Sequence, residues 1–236
     1  MLVAGVDGCR DGWVVVTLET ATGALSATTV REFAVVLKLQ PRLSIICVDT
    51  PVGLLGAAVG GGRDCDRDAR ALLGAVRGTS VFSAPVRGAL SAATHAEASD
   101  INRKSSASNI GLSIQTFGIF RKIADVDSVI TPALQRQVFE VHPELCFFEM
   151  NAGVPVVAAK MTKSGVAIRT TLLQKNGIVG FDALLGRQRP IGAQVDDVID
   201  ALAAAWTAWR IGAGRATAIP SDVVVDDRGV RMAIWR

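Results

Sequence analysis

Val3-Ala4-Gly5-Val6-Asp7-Gly8-Cys9-Arg10-Asp11-Gly12-Trp13-Val14-Val15-Val16 decides how this chain folds. Its apolar halves have the period-two character of strands, and Gly8 and Gly12 mark a tight return between them. A hairpin of this kind lifts Asp7 to the rim of a sheet. An unpaired carboxylate on an apolar strand is costly, and burial raises its pKa until the group neutralises. Asp7 is therefore expected to face a metal ion or a bound ligand.

Outward from the hairpin, a third strand is expected near Ala24 to Val30 after a Thr22-Gly23 turn, then an apolar helix from about Glu32 to Gln40 that Pro41 stops. Leu43 to Pro51 is dense in branched residues and reads as a buried central strand with Asp49 at its carboxyl end. This order predicts a mixed sheet whose fourth strand lies parallel to the first and brings Asp49 beside Asp7. Gly53 to Ser108 is rich in Gly, Ala, Ser and Arg, carries one clear helix signal over Asp64 to Leu73, and reads as an insertion. A helix follows from about Ile110 to Ile123, and Val138 to Glu144 reads as a strand running into a proline-marked turn, with Glu140 in it or at its end. Asp196 to Arg210 is nearly all helix former and apolar after its first turn, which predicts a buried helix with an acidic start. The expectation is a single α/β domain over 1–236. Its core is a mixed five-stranded sheet flanked by helices, with an inserted helical and loop segment after the fourth strand at about 53–108.

The chain has 236 residues, of which 50% are apolar, so it can bury a substantial core. No apolar run reaches the roughly 18 residues a bilayer requires, and Asp7 interrupts any signal-type segment, so a cytoplasmic protein without a membrane partner is expected. Cys9, Cys47, Cys65 and Cys146 have no C-x-x-C spacing and read as reduced, buried thiols. The net charge of +3 does not announce nucleic acid by itself. Between Lys160 and Arg189, however, Lys160, Lys163, Arg169, Lys175, Arg187 and Arg189 are opposed only by Asp182, a stretch suited either to phosphates or to a solvated surface.

Acidic groups stand at comparable places: Asp7 and Asp49 at strand ends, Glu140 on or after a strand, and Asp196, Asp197 and Asp200 at one helix start. Gathered carboxylates repel and raise one another's pKa, whereas Mg2+ or Mn2+ turns that repulsion into binding. Two such ions about 3.5–4 Å apart can activate a water and hold the leaving oxygen of a phosphodiester. The competing roles are structural: Asp in a first helical turn caps it, Asp49-Thr50-Pro51 forms an ordinary turn, and His142 before Pro143 is a hydrogen-bonded structural residue. Aromatic stacking residues are scarce, which argues against a long single-stranded platform.

Together these residues resemble the prokaryotic family called domain of unknown function 429, described as RNase H-like nucleases. The likeness covers nearly the whole chain. It rests on Gly5-Val6-Asp7-Gly8-Cys9, Val48-Asp49-Thr50-Pro51-Val52-Gly53, Arg63-Asp64-Cys65-Asp66, Ser80-Val81-Phe82-Ser83-Ala84-Pro85, Gly111-Leu112-Ser113-Ile114-Gln115, Glu140-Val141-His142-Pro143-Glu144, and Asp197 with Asp200-Ala201. Asp125 and Arg121 depart from the family pattern. The resemblance implies an RNase H-like core, with three antiparallel strands, a helix, a parallel fourth strand, and further helix, strand and helix. It also implies a metal-dependent phosphodiesterase acting on nucleic acid. In that superfamily the metal-binding acids match Asp7, Asp49 and Asp197, with Glu140 as a further ligand from the family's own motif and Asp200 in reserve. Ser80, Ser83, Arg87, Gln115, Lys122, His142, Lys160 and Arg169 are implied in substrate handling. Two alternatives stand beside this reading: a phosphotransferase or ATP-binding protein of the related sugar kinase and actin-like fold, and a non-catalytic module that binds a nucleotide or phosphorylated metabolite.

Overall fold

A computed structural model describes residues 1–236. In chain order the elements begin with β1 (Leu2–Cys9), β2 (Gly12–Glu19), β3 (Leu25–Val30), the single turn α1 (Phe33–Val36) and β4 (Ile45–Val48). Next come α2 (Asp64–Arg77), α3 (His95–Lys104), α4 (Ile114–Gly118), α5 (Phe120–Asp127) and β5 (Val138–Val141). The chain closes with α6 (Pro143–Met150), α7 (Lys163–Lys175), α8 (Asp182–Leu185), α9 (Val195–Gly212), β6 (Ala218–Val225) and β7 (Arg231–Trp235). The mixed α/β sheet has seven strands in the order β3-β2-β1-β4-β5-β7-β6, two more than the five expected. Pro220 and Asp222 inside β6, and a run of exposed residues along it, hide that strand from a periodicity reading.

Two compact units make up the chain. The first holds Met1–Thr50, Arg136–Thr217 and Trp235–Arg236, and the second holds Pro51–Gln135 with Ala218–Ile234. The segment leaving the first unit after β4 is thus longer than the 53–108 read from sequence, and the second unit also takes in most of the closing strands.

In the first unit, β1 pairs antiparallel with β2, and β2 with β3, while β1, β4 and β5 run parallel. Gly5 is in register with Cys47, and Cys47 with Phe139. Since side chains alternate along a strand, the odd-numbered residues of these three strands share one face. That face is covered by α9. Gly5 makes the close packing feasible, because a Cβ there would stand 2.0 Å from the Ala201 carbonyl oxygen and 2.2 Å from the Ala205 nitrogen. Ala201, Ala204, Ala205 and Ala208 keep the facing stripe of α9 small, and together with Val3, Val14, Val16, Cys47, Phe147 and Leu202 they form the buried core of this unit. On the other face Trp13 meets Phe33 edge to face, with ring centroids 5.6 Å apart. The helix expected over about 32–40 is only the one turn of α1, since Glu32 offers no side-chain cap and two Val residues weaken propagation.

Local sequence also explains α6. Pro143, expected to mark a turn, instead occupies the first turn of a helix, where its missing N–H costs nothing, and His142 is the N-cap.

In the second unit, α2 starts on a buried ion pair. Arg63 Nη2 lies 2.7 Å from Asp66 Oδ1, and Arg63 Nη1 also donates to the carbonyls of Val52 and Gly53, each at 3.1 Å. The family-like Arg63-Asp64-Cys65-Asp66 run is thus a capping arrangement that ties the loop after Pro51 to the helix. The helix expected over 110–123 is divided into α4 and α5 at Ile119, whose backbone leaves the helical region after Gly118. Asp125 and Arg121 both lie within α5. Ala58, Val86, Ala89, Ala98 and Phe120 form a small local core.

Candidate functional site

The first unit brings three carboxylates together from three segments. Asp7 stands near the end of β1 and is 7% exposed; Asp200 lies one turn into α9 and is 3% exposed. Asp49 is the first residue after β4, and its N–H donates to the Val6 carbonyl at 2.9 Å. Continuing the parallel register of Val6 with Val48, Asp7 is level with Asp49 on the neighbouring strand, on the face that α9 covers. The close approach that Gly5 permits to Ala201 brings Asp200 to the same place.

Their mutual influence shows in their proton affinities. Burial, followed by the charges of Asp49 and Asp200, holds the Asp7 carboxyl well above the usual carboxylate range. Burial also raises Asp49, against the lowering influence of His142, Lys160 and a hydrogen bond from Asp7. Asp200 is pushed up to about 6, mainly by burial, although Lys160 pulls the other way. These are acids whose surroundings disfavour the ionised state.

Lys160 supplies the nearest cation. Its Nζ lies 2.7 Å from Asp200 Oδ2 and 3.4 Å from Asp196 Oδ2. Burial alone would lower its pKa, but Asp200, Asp7 and Asp196 hold the ammonium well above its ordinary value. The loop carrying it is pinned from behind. Arg169 Nη1 donates to the Ala158 carbonyl at 2.9 Å, Thr162 Oγ1 donates to the Ala159 carbonyl at 2.8 Å, and Gly165 of α7 presses on that same carbonyl, where a Cβ would stand only 1.9 Å away. Arg169 is 1% exposed and its Nη2 lies 2.6 Å from Glu144 Oε1, so this arginine is committed to an internal pair instead of to an external phosphate.

The other expected site residues of this unit are placed as follows. Asp197 caps α9, its Oδ2 accepting the Gln194 N–H at 2.8 Å within a capping box, so the buried third carboxylate of the group is Asp200. Asp197 is half-buried and still adds to the negative field at Asp7. Glu140 is not gathered with the others. It is in register with Val48, an even-numbered position, and alternation puts it on the sheet face opposite to Asp7 and Asp49. His142 Nδ1 accepts the Glu144 N–H at 3.3 Å as the N-cap of α6, which commits that nitrogen to the helix. Cys146 accepts a hydrogen bond from Thr207 Oγ1 at 3.2 Å, yet burial pushes its thiol up to about 12, so it is no nucleophile. All four cysteines are buried and none forms a disulfide.

The remaining substrate-handling candidates belong to the second unit. Arg87 is engaged by Asp127, Asp226 and Asp227, and Asp226 also accepts the N–H groups of Leu54, Arg228 and Val230, a structural network around the turn between β6 and β7. Ser80 Oγ donates to the Arg77 carbonyl at 2.7 Å. Ser83 lines a cavity of about 400 Å3 with Arg70, Phe82, Asn102 and Thr116. Gln115 is exposed on α4, and Lys122 is half-buried on α5.

Whether a divalent cation suits the carboxylate group is answered by its donors. They are carboxylate oxygens alone, the donor set that Mg2+ or Mn2+ prefers over softer metals, and each is held in an environment that resists its charge. Asp7, Asp49 and Asp200 would hold it. Asp197 and Asp200 each stand four residues before an alanine of the packed stripe, Ala201 and Ala204, so spacing in the sequence does not separate them; the capping hydrogen bond that Asp197 accepts from the Gln194 N–H does.

A mixed α/β sheet with carboxylates of raised proton affinity near the ends of two parallel strands defines the class of this molecule. The chain belongs to the family described as Protein of unknown function (DUF429), whose model matches residues 5–224. No curated protein and no solved structure matches it. No helix is long and apolar enough to cross a membrane.

Proposed function

We propose that this protein is a metal-dependent phosphodiesterase of the RNase H-like kind that acts on nucleic acid, with Asp7, Asp49 and Asp200 as the oxygen ligands of Mg2+ or Mn2+. The observation that carries the reading is the gathering of three carboxylates from β1, from the end of β4 and from α9, Asp7 and Asp200 buried and Asp49 half-buried, each with a raised pKa. Cations bound there supply Lewis-acid activation of a water and charge for the leaving oxygen. The order of antiparallel β1, β2 and β3 with parallel β4 and β5 supports the RNase H-like assignment.

The chain's own residues have distinct tasks in this scheme. Asp7 and Asp49, level on adjacent parallel strands, offer oxygens from one rigid edge, while Asp200 closes the group from the helix. His142 caps the start of α6, the helix that carries Glu144. The Glu144–Arg169 pair is a positioning device, since Arg169 holds the carbonyl of Ala158 two residues before Lys160. Lys163, Lys175, Arg187 and Arg189 are exposed and give the same unit cations for a phosphate backbone.

The test is calorimetric titration of Mn2+ into the wild type, Asp7→Asn and Asp200→Asn, followed by cleavage assays on duplex, junction and single-stranded substrates. Binding and cleavage that both vanish in the two variants support the proposal. Mn2+ binding unchanged in Asp7→Asn refutes it, and ATP binding with formation of a phosphorylated product transfers the site to the kinase-like alternative.

A further inference from the structure

We infer that Lys160 is the built-in counter-ion of this site: its ammonium holds the position of the catalytic cation in the metal-free protein, and metal loading expels it. The inference rests on the metal-dependent reading above. Lys160 Nζ contacts Asp200 at 2.7 Å and Asp196 at 3.4 Å, and its charge also reaches Asp7 and Asp49, so one cation faces the whole carboxylate group.

The two partners of the closest contact differ in what they can do. The Asp200 side chain is 4% exposed and fixed on the buried face of α9, whereas the Lys160 side chain is 41% exposed. The acid cannot leave, but the lysine has a path to water. Its backbone is not free to travel, because Arg169, Thr162 and Gly165 fix the carbonyls of Ala158 and Ala159 just before it. Release therefore falls to the flexible four-carbon stem, which can rotate the ammonium outward while the loop stays in place.

The exchange is favourable for a reason of coordination. An ammonium offers three donors and one charge, while a divalent cation takes about six oxygens and carries two charges. Three carboxylates and solvent satisfy the divalent ion far better than they satisfy Lys160. The same arrangement keeps the group partly neutralised when no metal is bound. Once expelled, the ammonium stands at the rim of the site, where an anionic substrate can meet it.

The experiment is Mn2+ calorimetry at alkaline pH on the wild type, Lys160→Met and Lys160→Arg. Without the competing ammonium, Lys160→Met should bind Mn2+ about tenfold more tightly, the worth of one charge-assisted hydrogen bond that no longer has to break, while the charge-retaining Lys160→Arg stays near the wild type. A second measurement needs no variant: brief acetylation of the wild-type protein, with Lys160 labelling read by peptide mass spectrometry, should rise when Mn2+ is saturating. Equal or weaker binding by Lys160→Met, or labelling that is unchanged or reduced by Mn2+, overturns the inference. A wild type that binds Mn2+ normally while these readouts fail removes the counter-ion role alone, whereas a wild type that binds no Mn2+ removes the metal-dependent reading and this inference with it.

Discussion

Replacing Asp200 by Asn should make the metal-free protein more stable, and by an amount that depends on pH in a defined direction. The ordinary value for an aspartate is 3.8, and in the fold Asp200 is pushed up to about 6, mainly by burial. A group whose pKa is raised on folding favours the folded state fully while it is protonated in both states, below about 3.8. That contribution is lost as pH rises through about 6. At about 1.4 kcal/mol for each tenfold change in proton affinity, the loss amounts to about 3 kcal/mol. Asn has nearly the same shape and no charge to lose, so it keeps the stability of the protonated acid throughout. The two proteins should therefore melt close together near pH 4, draw apart between pH 4 and pH 6, and keep a constant gap above that, with the variant higher by roughly 6–12 °C, given about 2–4 °C per kcal/mol at this chain length. Calorimetric melting in chelator from pH 4 to pH 8 measures the difference. Saturating Mn2+ should then reverse the order, raising the wild type and leaving the variant where it was. A variant that melts at or below the wild type at pH 8 without metal would refute the account of Asp200 as a charge held against its surroundings.

Three further outcomes follow from the packing and the placement of side chains. Gly5→Ala puts a Cβ 2.0 Å from the Ala201 carbonyl oxygen, and because backbone on both sides must move, about 3 kcal/mol or more of stability should be lost in denaturant melts. Arg87→Ala leaves the buried Asp226 without its charged partner, which should cost about 3 kcal/mol and expose the 51–135 segment to limited proteolysis. Glu140→Gln should leave the Mn2+ affinity at the wild-type value, because that side chain lies on the opposite face of the sheet, whereas Asp7→Asn should abolish binding in the same titration.

The first half of the sheet was legible because its signals are local. The β1–β2 hairpin announces itself by its Val content and its glycines, β4 by its branched run, and α9 by its helix formers, and each appears within a few residues of its expected place. What escaped depended on partners far away. The strand β6 has five exposed residues in succession and a proline, so neither alternation nor composition marks it. Pro143 reads as a terminator unless the helix after it is already known. The division of tasks among the acids at the start of α9 also depends on the fold. Asp197 occupies the position that resemblance favours, with Asp200 in reserve, and the fold separates them: the Asp197 side chain accepts the Gln194 N–H, while Asp200 is buried against the Lys160 ammonium.

The same chain supplies the comparison that separates a structural acid from an acid of the site. Asp226 is also largely removed from water, and burial by itself would raise its pKa, yet hydrogen bonds from Arg87, Val230, Leu54 and Arg228 overcome this and hold it below the ordinary value. Its surroundings are built to receive a negative charge, and ionisation strengthens the fold. Asp7, Asp49 and Asp200 have the reverse character: burial leaves all three raised even with Lys160 near them, helped at Asp7 by the charges of Asp49 and Asp200, at Asp200 by those of Asp49 and Glu144, and at Asp49 by that of Glu144. An apolar residue at any one of these positions would remove the cost of burying a charge there, so stability of the fold gives no reason for the trio. A cation that arrives from solvent does, because it converts the term that opposes folding into the term that binds it.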